Sequence, residues 1–257
     1  MKKRALSLLM ALVMVVSLLP ATVRAADSTL SGDISVGTAT ELAALGGKDI
    51  VGNITLTADI DMSNTEMTPI KSLKGCFNGD SKTSSGLTLK GGNGSYNWQT
   101  GTIYVNPGLI GELNGSIINV KMTGVSITEN IGNWNNIGAL VGKIADNSNS
   151  RIDNCVVSGA IGSSSSSSNT FLGGLVGYVT GTSALVINNC LSNVTLTCGN
   201  SGYAGGLLGA ANFFSGTISV KNAVVLGSIT SGKYGGGIVG YFNSGSPKLT
   251  VNNSYVA

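Results

Sequence analysis

Histidine is missing from all 257 residues of this chain. Its absence removes Ser-His-Asp and Cys-His catalytic machinery, and with them every histidine-ligated metal centre. Charge is scarce as well. Asp, Glu, Lys and Arg together make up only 11% of the residues, so solubility has to come from Ser, Thr, Asn and Gly. That balance suits an extracellular β-solenoid better than a cytosolic enzyme. The four cysteines, Cys76, Cys155, Cys190 and Cys198, lack the spacing of a metal site. No nucleotide signature is present either: the glycine-rich phrases resemble phosphate loops only superficially, because no Lys-Ser/Thr pair and no helix follows them. No cofactor is implied.

The formal charge of +3 belongs to the N-terminus and not to the body of the chain. Met1-Lys2-Lys3-Arg4 is a basic head, Ala5 to Leu19 is apolar, and Pro20 opens a small-residue tail ending Val23-Arg24-Ala25. This is the pattern of a secretory signal peptide over residues 1–25, cleaved after Ala25. Its removal takes four basic residues and no acid, so fifteen bases against twelve acids become eleven against twelve. The mature chain therefore offers no case for binding nucleic acid. It also has no other apolar run approaching the length of a membrane span. The expected localisation is secreted or cell-surface.

What the mature chain does contain is a repeat. A five-residue phrase recurs as Pro107 to Gly111, Gly138 to Gly142, Gly173 to Gly177, Gly205 to Gly209 and Gly236 to Gly240, with its closing glycines 31, 35, 32 and 31 residues apart. Such regularity indicates stacked units that share a core with their neighbours. A second phrase follows each time: Ile117 to Val120, Ile152 to Cys155, Ile187 to Cys190, Val220 to Ala223 and Val251 to Ser254. Each repeat thus holds three short β-branched runs separated by Gly, Ser and Asn, which is strand chemistry with no room for an ordinary helix. The reading is all-β: a right-handed parallel β-helix whose coils rise about 4.8 Å each. Asn119, Asn154, Asn189, Asn222 and Asn253 form one column, because Asn tolerates the left-handed bend between strands and its amide can bond to the next coil. Ahead of the repeats, Thr38 and Glu41 are spaced as a capping box for a short helix through Leu45, closed by Gly46-Gly47, that would cover the open end of the first coil. Three segments follow: the signal peptide at 1–25, a cap and lead-in coils at 26–107, and repeats at 108–257. The chain stops just after its fifth Asn phrase, which reads as a truncated or fragmentary end and implies further domains of a longer parent chain.

The Gly-Leu-Val-Gly phrase followed by Ile-x-Asn-Cys resembles the GLUG-motif repeats of bacterial secreted and cell-surface proteins. Thr38 to Leu42, Asn53 to Asp61, Thr68-Pro69-Ile70 and Gly75 to Gly79 are similar to the coils that precede such repeats, although Cys76 and Asp80 interrupt the Phe-x-Gly-x-Phe-Asp-Gly pattern there. The resemblance runs from about Ile34 to the end. It implies a β-helix of adhesin-like character and says little about activity.

Alternation around the closing glycines separates inside from outside. Leu109, Leu140, Leu175, Leu207 and Ile238 lie two before them, and Leu113, Ile144, Val179, Ala211 and Phe242 two after, which makes this face the core. Glu112, Lys143, Tyr178, Ala210 and Tyr241, one after, face outward. Ile110, Val141, Val176, Leu208 and Val239, one before, should also face outward yet are all apolar. Either a bulge at the glycine turns them inward or the surface carries a covered apolar stripe.

Candidate sites are few. Phe171, Tyr203 and Tyr234 stand six before their glycines, with Trp134 eight before its own, and this aromatic column either stacks on sugar rings or packs the turn from within. The serine run Ser163 to Ser168 is a flexible insertion. Cys155 and Cys190 occupy equivalent positions in successive coils, as a disulfide or as a small packed column. Asp59 and Asp61 share a strand face, more as edge or turn residues than as a catalytic pair. Asp146 to Asn149 with Asp153 offers oxygen ligands for calcium without a second acidic cluster. No catalytic set is assigned. Two functions follow: a non-catalytic module for adhesion or for binding an extracellular glycan or a host or matrix protein, and alternatively a carbohydrate-active β-helix enzyme, a polysaccharide lyase or hydrolase.

Overall fold

The computed structural model describes residues 29–89, 106–129, 135–164, 170–243, 245 and 248–257. The signal-peptide segment, Trp134 and Ser165 to Ser168 lie outside the described residues.

Parallel pairing is the rule throughout. Among the described residues the strands form a wide sheet of fourteen, a second of ten and a narrow one of four. One coil shows the path. Thr170–Gly173 lies in the narrow sheet, the chain bends at Gly174-Leu175, and Val176–Gly181 and Ala184–Asn188 run in succession along the wide sheet. It then turns at Asn189 into Leu191–Cys198 of the second sheet before returning to the narrow sheet at Tyr203–Gly205. The next coil repeats this path in register, with Phe171 beside Tyr203, Val176 beside Leu208, Ile187 beside Val220 and Leu191 beside Val224. The fold is a parallel β-helix.

Later coils differ from the three-strand expectation on the wide face. Ile70–Asn78 and Ile110–Ile118 are single nine-residue strands, whereas Val141–Ile144 and Asn149–Asp153 both pair with Ile110–Ile118 and split its length between them. The early coils bend within one strand at Gly75, whose backbone has φ 149° and whose position leaves no space for a Cβ, which would stand 1.9 Å from the Gly52 carbonyl oxygen. In the coil that follows, a four-residue turn, Ala145 to Ser148, with Asn147 at φ 58°, makes the same bend.

The Asn turns have the left-handed backbone that their residue type favours: φ is 55° at Asn119, 52° at Asn154 and Asn189, 51° at Asn222 and 46° at Asn253. Each of the first four donates its N–H to the carbonyl of the following coil, at Asp153, Asn188, Lys221 and Asn252 respectively. The side chains do not form one continuous ladder. Asn154 Nδ2 donates to Asn119 Oδ1 (2.8 Å), and Asn119 Nδ2 to Asn78 Oδ1 (3.2 Å). The next run steps back by one residue, with Asn188 Nδ2 on Asp153 Oδ1 (2.7 Å), Asn222 Nδ2 on Asn188 Oδ1 (3.2 Å) and Asn253 Nδ2 on Asn222 Oδ1 (2.7 Å). Asn189 keeps the turn conformation but sits in neither run of amides.

The interior is a stack of aliphatic columns. Leu109, Leu140, Leu175 and Leu207 are buried, as are Leu113, Ile144, Val179 and Ala211, and Ile117, Ile152, Ile187 and Val220. Of the residues one before each closing glycine, Ile110, Val141, Val176 and Leu208 are buried too and Val239 is half-buried, through a corner and not a bulge. Ile110, Val141, Val176, Leu208 and Val239 pair in unbroken register, and the chain bends immediately before them, so the two residues flanking the bend both enter the core. The glycines make that corner possible: a Cβ on Gly138 would lie 2.3 Å from the Val141 carbonyl oxygen.

At the N-terminal end the helix Ala39–Ala44 covers the first coil. Thr38 Oγ1 accepts from Glu41 N (3.2 Å), Glu41 Oε2 accepts from Thr38 N (3.1 Å), and Leu42 and Leu45 are buried beneath it. At the other end Leu249, Val251 and Val256 are exposed.

The split between turn conformation and amide bonding has a measurable consequence. Replacing Asn154 by Val should cost about 2–3 kcal/mol, from left-handed strain plus one lost amide bond. Asn154→Gly relieves the strain and should cost about 1 kcal/mol or less. Asn189→Gly should be close to neutral, since no amide bond is lost there. Urea denaturation of the three variants checks the order.

Candidate functional site: an outer groove across the coils

The corner that buries two adjacent residues also brings outward side chains together. Residues of the narrow sheet, Asn136, Phe171, Tyr203 and Tyr234, stand in one register column. Residues of the wide sheet just past the bend, Asp49, Ser72, Glu112, Lys143, Tyr178, Ala210 and Tyr241, form a second column. The two converge across the bend in a groove that follows the stack. Only their combination defines it: along the sequence the aromatic set and the outward set are two separate columns.

One stretch of the groove is filled with rings. Phe171 stacks on Tyr178 and on Tyr203, each at 5.2 Å between centroids, and Tyr203 lies 4.5 Å from Tyr241. Phe171 and Tyr203 are only 1% and 6% exposed, so these two present no face to a ligand. They pack the bend from its outer side in a cluster separate from the main core, and not from within the coil. At the end of the column Tyr234 is 52% exposed and stacks on Tyr241 at 5.9 Å with an 11° tilt. Lys233 Nζ lies 5.3 Å from the Tyr203 ring centre. A hydrogen bond with Tyr203, reinforced by its charge interaction with that tyrosine, raises the lysine's pKa. The accessible part of the aromatic column is therefore Tyr234, with Tyr241 and Lys233 beside it.

Toward the N-terminal end the groove opens into a cleft of about 460 Å³ lined by Asp49, Lys71, Ser72, Asn106, Glu112 and Lys143, with Thr68, Pro69 and glycine backbone. Asp49 receives Lys71 Nζ and Ser72 Oγ at 2.6 Å each. Burial works to raise the Asp49 carboxyl, but those two donors and the lysine charge outweigh it and hold the pKa below the ordinary value, so the group is ionised. Lys143 pairs with Asp146 at 3.0 Å.

The other residues weighed from the sequence hold structural positions. Asp59 Oδ1 accepts from Thr83 N (2.7 Å), and Asp61 accepts from the backbone and hydroxyl of Ser63. Asp153 is held by Arg151 at 2.5 Å and by Asn188. Asn147 Oδ1 accepts from the Thr182 hydroxyl (2.7 Å), and with Asp146 turned to Lys143 this turn is tied to its own neighbours. Among the described residues no group of three or more Asp, Glu, Cys or His side chains is placed to hold a metal ion. Cys155 and Cys190 are buried free thiols in the packed column, each donating to backbone carbonyls, among them Asp153 O (3.2 Å) and Asn188 O (3.1 Å). The contact with Cys190 and burial raise the pKa of Cys155 and keep it a thiol. Among the described residues no helix is long and apolar enough to cross a membrane.

The class defined by fold and groove is a parallel β-helix with an exterior cleft. No protein-family model matches the chain, and no curated protein does. Among solved structures it is similar to the crystal structure of a putative immunoglobulin A1 protease from Bacteroides ovatus, at 16% identity over 86% of this chain and 84% of that one, with a TM-score of 0.41. At that distance the similarity carries no functional weight.

Burial separates packing rings from available ones. Tyr203→Ala should destabilise the protein by about 3 kcal/mol, and Tyr234→Ala by about 1 kcal/mol or less. Chemical denaturation of both variants measures the difference.

Proposed function

We propose that the protein is a secreted or cell-surface β-solenoid module of GLUG-repeat type that binds an extracellular glycan or a host or matrix protein along its outer groove and performs no chemistry. The observation that carries this reading is the convergence of two outward columns into one groove spanning successive coils, with a polar cleft toward one end and exposed rings at the other. A surface of that kind offers several weak contacts in series, and avidity comes from their sum. Tyr234 and Tyr241 supply flat apolar faces and Lys233 a cation, a combination suited to a sugar face or to a partner's polar loop. The N-terminal leader sequence supports export, and the scarcity of charge suits an extracellular surface.

The enzyme reading would place glycosidic cleavage in the cleft, where Asp49 and Glu112 both stand. It needs one carboxyl that carries a proton at working pH. Asp49 is held ionised by Lys71 and Ser72, which disfavours that role.

The test is binding of the mature protein to a glycan array and to immobilised matrix proteins, beside a Lys233→Ala/Tyr234→Ala/Tyr241→Ala variant. Loss of two rings and a cation should weaken binding about tenfold or more. Undiminished binding by the variant would move the site away from this end of the groove. Release of oligosaccharides from any polysaccharide by purified protein would overturn the non-catalytic reading.

A further inference from the structure

The cleft contains a carboxylate that the fold does not use. Glu112 is half-buried on the wide sheet and faces Lys143 across the neighbouring rung, yet Lys143 turns to Asp146 at 3.0 Å. Lys71 is likewise committed, to Asp49 at 2.6 Å. Each lysine of the cleft already has its acid, and Glu112 forms neither an ion pair nor a side-chain hydrogen bond among the described residues. A carboxylate that lines a cleft without a protein donor keeps its acceptor positions open to a ligand.

A second group is left in the same state. Asn106 lines the cleft while only 7% exposed, and its Oδ1 is taken by Asn136 Nδ2 at 2.9 Å. With that bond made, Asn106 Nδ2 has no partner among the described residues, and neither has Asn136 Oδ1 beside it. An acceptor and a donor therefore stand unused in one cleft. The lysine ammonium groups and the Ser72 hydroxyl, each with one bond made, supply further polar contacts around them.

We infer that this cleft is a carbohydrate subsite, specific for a neutral or amine-bearing sugar residue, in which Glu112 accepts from ligand hydroxyls or an amine and Asn106 Nδ2 donates to a ligand oxygen. Sugar hydroxyls both donate and accept, which is what an unpaired carboxylate beside an unpaired amide requires. The uncompensated charge of Glu112 makes it a specificity determinant as well: a sugar carrying its own carboxylate would be brought against it and rejected. The inference deepens the glycan branch of the proposed function and rests on that reading.

The experiment is a glycan array carrying neutral, hexosamine and uronate-bearing saccharides, probed with full-length mature wild type and with Glu112→Gln, whose melting temperature is compared first. Binding to neutral or amine-bearing glycans should fall about tenfold or more in the variant, since bonds to a charged group are the stronger ones. The disadvantage of uronate-bearing glycans should shrink at the same time. Amide NMR shifts on titrating the best array saccharide should centre on Asn106, Gly111, Glu112 and Lys143. Wild type that prefers uronates, equal binding by the variant, or shifts confined to Lys233 through Tyr241 would each overturn the cleft assignment and leave glycan binding elsewhere on the groove standing. Binding to matrix protein with none to any glycan would overturn the sugar subsite alone, and binding to neither would overturn both.

Discussion

Everything in this protein depends on one coil lying on the next in register, at about 4.8 Å per coil. That spacing gives each side chain a neighbour of the same position above and below, and so every position becomes a column. Columns of leucine, isoleucine and valine bury themselves, while columns of asparagine satisfy each other at the turns. The condition is strict at the bends, where successive backbones approach closely enough that a Cβ on Gly75 or Gly138 would overlap a carbonyl oxygen. A fold built this way has little tolerance at its corners and a great deal between them, which is why loops of different length can leave the coil without disturbing its strands.

The same stacking makes the groove. A corner that buries two consecutive residues draws the outward side chains on either side of it together, and repetition carries that contact along the axis. What fills the groove then depends on residue type from coil to coil. Rings at Phe171, Tyr178 and Tyr203 close it by packing on one another, and shorter polar side chains at Ser72, Asn106 and Glu112 leave it open. One geometry thus yields a filled section and a cleft.

Much of the architecture is legible in the sequence because the repeat phrases report backbone requirements directly. Asn at a left-handed turn, Gly at a close approach and a capping box at Thr38 and Glu41 are each chosen for local reasons, and each is found where the spacing places it. The bulge expected at Ile110, Val141, Val176, Leu208 and Val239 is a corner instead. Alternation within a strand cannot distinguish the two, since both put adjacent residues inside. The split of the wide face was equally hidden, because a four-residue turn and a strained glycine make the same bend from dissimilar residues.

The sequence by itself determined the repeat length, the strand chemistry, the Asn turns and the aliphatic core, all of which follow from short-range preferences repeated five times. Only the tertiary structure decided which outward residues meet. Whether Phe171 is a platform or a packing ring depends on Tyr178 across the corner, and whether Glu112 is paired depends on Lys143 choosing Asp146. The first outcome is set by the corner between two sheets and the second by a choice between a neighbour three residues on and one on the adjacent coil, and neither is decided until the coils are stacked.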